Sequence, residues 1–197
     1  MLWGVLVANS LRVMAFVGLS SYLATYLIRT YRLSAGDTAL PLTVAGLGSI
    51  AGSLVGGRVA GQVSRIAVVA MACIGGGLGT VLVFTLDLSP WATVMVACGA
   101  TGLSSLAWTV MAVLLLEVAG PSPATATGLL AVSNQLGAIG GASLGGVMLA
   151  LGGFPLVGLF CLATTATAAV VLRCTVQSAA ECSRCRGAGP AAQDGLG

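Results

Sequence analysis

The sequence predicts an all-α membrane protein: six transmembrane helices arranged as two inverted three-helix repeats. Three observations carry that expectation. Hydrophobic residues make up 57% of the chain and charged residues only 7%, with no Lys and no His, whereas a soluble domain carries about 25% charged residues. The few charges stand between apolar runs long enough to cross a bilayer. One glycine-rich segment, Leu47 to Gly57, is written again 89 residues later as Leu136 to Gly146.

The charges delimit the helices. Between Asp37 and Arg58 lie 20 uncharged residues, between Arg65 and Asp87 lie 21, and between Asp87 and Glu117 lie 29. A helix needs roughly 20 apolar residues to cross the hydrocarbon core. The 55 uncharged residues between Glu117 and Arg173 are enough for two spans, and Gly152-Gly153-Phe154-Pro155 divides them with a turn signal. Residues 1–28 add a further apolar stretch interrupted by Arg12. The expected helices are therefore 2–28, 39–61, 66–86, 91–116, 124–151 and 154–173. Together they form one membrane domain, 1–174, followed by a disordered cytoplasmic tail at 175–197. Barrel strands would be about ten residues long and alternating, which these runs are not. A cleaved signal at 1–28 is disfavoured, because no positive charge precedes the apolar stretch.

Six spans place both termini on one side. That side holds Arg58, Arg65, Arg173, Arg184 and Arg186, against Arg29 and Arg32 on the other, so the positive-inside rule puts both termini in the cytoplasm.

The repeated segment then acquires a meaning. Leu47, Gly48, Ile50, Gly52, Gly56 and Gly57 align without gaps on Leu136, Gly137, Ile139, Gly141, Gly145 and Gly146. The two copies occupy the middle helices of two three-helix units, and an odd-numbered repeat inverts its own topology. Gly48, Gly52 and Gly56 make one face of small residues, and Gly137, Gly141 and Gly145 the other. Small residues four apart let helices pack closely in lipid.

Polar residues inside spans are expensive and are site candidates by default. Arg12 lies roughly 16 Å along the first helix at 1.5 Å per residue. It is either a cavity cation for an anionic group or a snorkelling side chain, and Asn9 is one turn away. Asn134 and Gln135 are adjacent, about 100° apart on their helix, so one is expected to line a cavity while the other bonds a neighbouring helix. Trp108 lies mid-span near Ser104 and Ser105, where it either stacks on a planar substrate or packs against lipid or core. Tyr22 and Tyr26 share a face that either lines the outer cavity or, the favoured reading, forms part of an aromatic belt. Glu117 ends the fourth helix, within reach of Arg58 or Arg65 in the loop after the second. Cys182 and Cys185 form a lone C-x-x-C without His, too little for an ordinary zinc site. No phosphate loop, catalytic triad or basic nucleic-acid patch is present, so no enzyme, metal, cofactor or nucleic-acid partner is expected.

Two segments carry a family resemblance. The loop GRVAGQVSR, Gly57 to Arg65, resembles the G-x-x-x-D-R-x-G-R loop of the major facilitator superfamily. Gly57 and Arg65 match, while Gly61, Gln62 and Ser64 depart from the pattern. The stretch ATATGLLAVSNQLGAIGGASLGGVMLALGGF, Ala124 to Phe154, is similar to the eleventh helix of bacterial drug and metabolite efflux members. The resemblance implies the C-terminal six-helix half of such a transporter, without the first half and its efflux motif, in a bacterial inner membrane. Its partners would be the lipid bilayer, a small-molecule substrate and a complementary six-helix half, supplied by another chain or by a second copy. The glycine faces would then meet helices of that other half. The alternative is a non-transporting membrane partner, scaffold or remnant.

Overall fold

The computed structural model describes residues 2–34, 36–61, 64–86, 88–119 and 123–187, with side chains described except at 118–119, 123 and 176–187. Gln62 and the end of the tail, 188–197, lie outside the described residues. Five helices follow one another: α1 (Leu2–Tyr31), α2 (Ala39–Val59), α3 (Arg65–Thr85), α4 (Pro90–Ala119) and α5 (Pro123–Gly187). Among the described residues there is no strand. All five are long and apolar enough to span a membrane.

Prolines mark helix starts, where a missing N–H costs nothing. Pro90 and Pro123 open α4 and α5, and Pro41 sits in the first turn of α2. α5 is broken inside. Gly152 has φ −145° and ψ 15°, and Gly153 has φ 73° and ψ −165°, a region that only glycine occupies readily. Pro155 follows and lacks the N–H that would bond back to residue 151. Beyond the break the helix runs to Gly187, past the expected end at 173. The cause is local: from Cys174 to Arg186 the sequence contains neither Gly nor Pro, so nothing stops the helix before Gly187. The helix thus continues through 175–187, the first part of the expected tail.

Pairwise contacts fix the directions of the helices. Residues 48, 52 and 56 of α2 face 98, 102 and 106 of α4 in increasing order, so these helices run parallel. Residues 137 and 141 of α5 face 10 and 14 of α1, also parallel. After the break, Gly158 meets Val81 and Phe84 while Thr165 meets Gly77, so this second arm runs antiparallel to α3. It is antiparallel to α1 as well, with Cys161 against Gly18 and Thr175 against Gly4. The two arms of α5 therefore run in opposite directions, and the break is a hairpin.

Two apolar clusters fill the bundle. One gathers Val5, Val69, Met111, Leu115 and Leu172; the other gathers Leu19, Leu27, Phe84, Val94 and Val157. Tyr26 is buried in the second cluster, edge-on to Tyr31, Phe84 and Phe154 at centroid distances of 5.9, 5.4 and 5.1 Å. It is a core residue, which corrects the aromatic-belt expectation, and Tyr22 instead donates to the Ala142 carbonyl at 2.5 Å. The outer surface is apolar: Ile50, Leu54, Met71, Leu136, Ile139 and Leu151 are all exposed, as lipid contact requires.

Candidate functional site

Between the two apolar clusters lies a polar layer. Asn9 and Arg12 on α1, Ser104 on α4 and Ser133 on α5 are all buried. In hydrocarbon an unpaired polar group costs free energy, and these residues partner one another. Asn9 Nδ2 donates to Ser133 Oγ at 2.7 Å and to Asn134 Oδ1 at 2.8 Å. Arg12 Nη2 donates to Asn9 Oδ1 and Nη1 to the Ser104 carbonyl, each at 3.2 Å. Ser133 Oγ donates to the Leu6 carbonyl at 3.2 Å, and Ser10 Oγ to the Ser133 carbonyl at 2.9 Å. One network thus ties together three helices.

Arg12 does not snorkel. It is 4% exposed, and its Nε–H has no hydrogen-bond partner. Among the described residues the one ion pair is Arg65–Glu117, so no described carboxylate neutralises Arg12.

The network borders a hollow of about 340 Å³, lined by Arg12, Phe16, Ser105, Trp108, Asn134 and Gln135 among others. Trp108 is 42% exposed and offers its ring at the rim. Asn134 and Gln135 both reach the hollow, contrary to the expectation that adjacent amides would split between cavity and neighbour. Asn134 does both tasks at once, lining the hollow and accepting from Asn9 on α1. Arg12, Trp108, Asn134 and Gln135 are therefore brought together, with Asn9 directly behind them. Sequence reasoning missed the parts played by Ser133 and the Ser104 carbonyl. The one available signal was position: Ser133 precedes the amide pair.

The glycines lie elsewhere, in two helix seams. A Cβ on Gly48 would run into the Cys98 carbonyl, and one on Gly52 into the Gly102 carbonyl; on Gly56 it would meet the Leu106 oxygen at 3.0 Å. In the other seam a Cβ on Gly137 would lie 2.5 Å from the Ser10 oxygen, one on Gly141 would run into the Met14 carbonyl, and one on Gly145 would press on the Tyr22 ring at 2.6 Å. All six are buried. The expectation that these faces meet helices outside the chain is corrected: α4 and α1 cover them. Gly57, by contrast, is exposed with open space around it.

At one end of the bundle Arg65 Nη1 pairs with Glu117 Oε2, and Arg65 Nε donates to the Ala60 carbonyl at 2.6 Å. Arg65 therefore ties the end of α2 to the end of α4, while Arg58 is exposed and makes no ion pair among the described residues. Among the described residues no group of three or more His, Cys, Asp or Glu converges.

An all-helical bundle with an apolar exterior and one polar layer inside is an integral, multi-pass membrane protein. The sequence profile of the Major Facilitator Superfamily matches residues 5–186, and the chain belongs to that family of membrane transporters. Neither the curated proteins nor the solved structures compared with it gave a match.

Proposed function

We propose that the chain is one six-helix half of a secondary transporter, working in efflux, with the hollow beside Arg12 as its share of the substrate path. The observation that carries this reading is the hollow itself. An apolar bundle has no packing reason to set a cation, two amides and a half-exposed tryptophan around one space, whereas a largely apolar cavity with a few convergent polar groups does so to hold a solute.

The four helices before α5 and the two opposed arms of α5 support the six-span reading. An inverted repeat is supported by the seams. Gly137 and Gly141 come 89 residues after Gly48 and Gly52, and their contacts in α1, Ser10 and Met14, come 88 residues before Cys98 and Gly102, the contacts of Gly48 and Gly52 in α4. Each unit's middle helix thus packs on the other unit's first helix at matching positions, one seam running opposite to the other. That is what a two-fold axis in the membrane plane produces. The exposed flank at Trp108 and Gln135 is the side a complementary half would close. Arg65–Glu117 is read as a latch on the cytoplasmic face, where the arginine-rich side also places both termini, in a bacterial inner membrane by the family resemblance.

Reconstitution tests the reading. The chain is placed in proteoliposomes alone and with the N-terminal half of a similar efflux transporter, and uptake of that transporter's substrates is measured. Flux is expected only with both halves, and loss of flux with Arg12→Gln. Robust flux from the six-helix monomer alone would contradict the half-transporter reading, and flux unaffected by Arg12→Gln would contradict the assignment of the hollow.

A further inference from the structure

We infer that the hollow selects an organic anion: a small molecule carrying a carboxylate or similar group on a flat, largely apolar body. The inference rests on the reading of the hollow as the substrate path and names the class of molecule it takes. Two of the five N–H groups of Arg12 are used by the Ser104 carbonyl and Asn9 Oδ1, and the buried Nε–H has no partner. The guanidinium thus retains donor capacity while its side chain lines the hollow.

Charge points the same way. Both partners of Arg12 are neutral, and no described carboxylate pairs with it. A buried cation held only by neutral dipoles is poorly compensated, and an incoming anion completes it with charge-assisted hydrogen bonds. A cationic solute would meet like charge at the same place. The remaining wall supplies the rest of the fit: the Trp108 ring and Phe16 for a flat apolar body, and the amides of Asn134 and Gln135 for neutral polar groups.

Three probes of one shape test this with the full chain in lipid nanodiscs: 2-naphthoate, its amide 2-naphthamide, and 2-naphthylmethylammonium. Binding of radiolabelled 2-naphthoate is measured directly and by competition. The carboxylate is expected to bind about tenfold or more tighter than the amide, with the ammonium weakest. Arg12→Gln should erase the preference and Arg12→Lys should keep most of it. Trp108→Ala should weaken acid and amide alike. Equal binding of the three probes to the unaltered chain, or a preference that survives Arg12→Gln, overturns the inference. The unaltered chain alone decides this, so the result stands even where Arg12→Gln fails to fold. Loss of the preference on adding a complementary half overturns it too, because the counter-charge would then come from protein. Failure of the substrate-path reading looks different: no probe binds, or Trp108→Ala changes nothing.

Discussion

Asn9 joins the polar layer by using both ends of its amide, accepting from Arg12 and donating to Ser133 and Asn134. Its removal leaves several buried groups unpaired at once, which costs more than one hydrogen bond is worth. Asn9→Ala is therefore expected to destabilise the chain by roughly 1–3 kcal/mol, read as a lowered unfolding midpoint in detergent; a change under about 0.5 kcal/mol would show that the network is not structural. Arg65–Glu117 should behave differently. Its side chains are 29% and 54% exposed, so a double-mutant cycle with Arg65→Gln and Glu117→Gln should give a coupling of only about 0.2–1 kcal/mol, shrinking with salt. As a latch it should show instead in transport rate; equal rates for all four members of the cycle would leave it a surface pair. At this scale the sequence made the costly residues visible. Arg12, Asn134 and Gln135 stand out in an apolar chain because lipid penalises them, and Trp108 because it sits away from the interface. Ser104 and Ser133 did not stand out, since serine is common in membrane helices and its hydroxyl pairs with its own helix at little cost.

Among the elements, the glycines separate into those that touch and those that do not. A methyl group at Gly52 or Gly141 collides with a neighbouring helix backbone, which cannot rotate aside as a side chain can. Gly52→Ala and Gly141→Ala should each cost roughly 1–3 kcal/mol by overpacking. Gly57→Ala, with open space around it, should be neutral or stabilising by up to ~1 kcal/mol through helix propensity. Unfolding of the three variants side by side checks this; equal effects at all three positions would mean the seams are loose. Gly153→Ala should cost about 1–3 kcal/mol for its positive φ, and the same substitution at Gly152, whose φ is negative, should cost less. Helix positions were legible because charges bracket them: Asp37 and Arg58 enclose most of α2, and Gly152-Gly153 marked the hairpin. The extent of the last helix was not, because its end depends on the first helix breaker after 173 and not on the change from apolar to polar residues there. The partner of each glycine face was not legible either. Spacing shows that a face is smooth, not which helix lies against it.

For the molecule as a whole, two apolar clusters sandwich one polar layer, and that layer opens on one flank. The exterior offers two kinds of exposed surface on the same helix. On α5, Leu136 and Ile139 belong to the apolar coat, while Gln135 belongs to the hollow. Composition made the membrane setting legible from the start, yet the existence of the hollow depends on how α1, α4 and α5 meet, and no single stretch of sequence contains that. On the proposed reading the flank bearing Arg12, Trp108 and Gln135 is a water-filled site, whereas the neighbouring exposed surface faces lipid. That reading is tested most directly by cysteine accessibility in the membrane, in a chain whose native cysteines have been replaced. Single cysteines at Gln135 and at Ile139 are treated with a water-soluble, charged thiosulfonate, and the rates of modification are compared. Modification should be rapid at 135 and slow at 139. Modification at 135 no faster than at 139 would place the flank in lipid and contradict that reading.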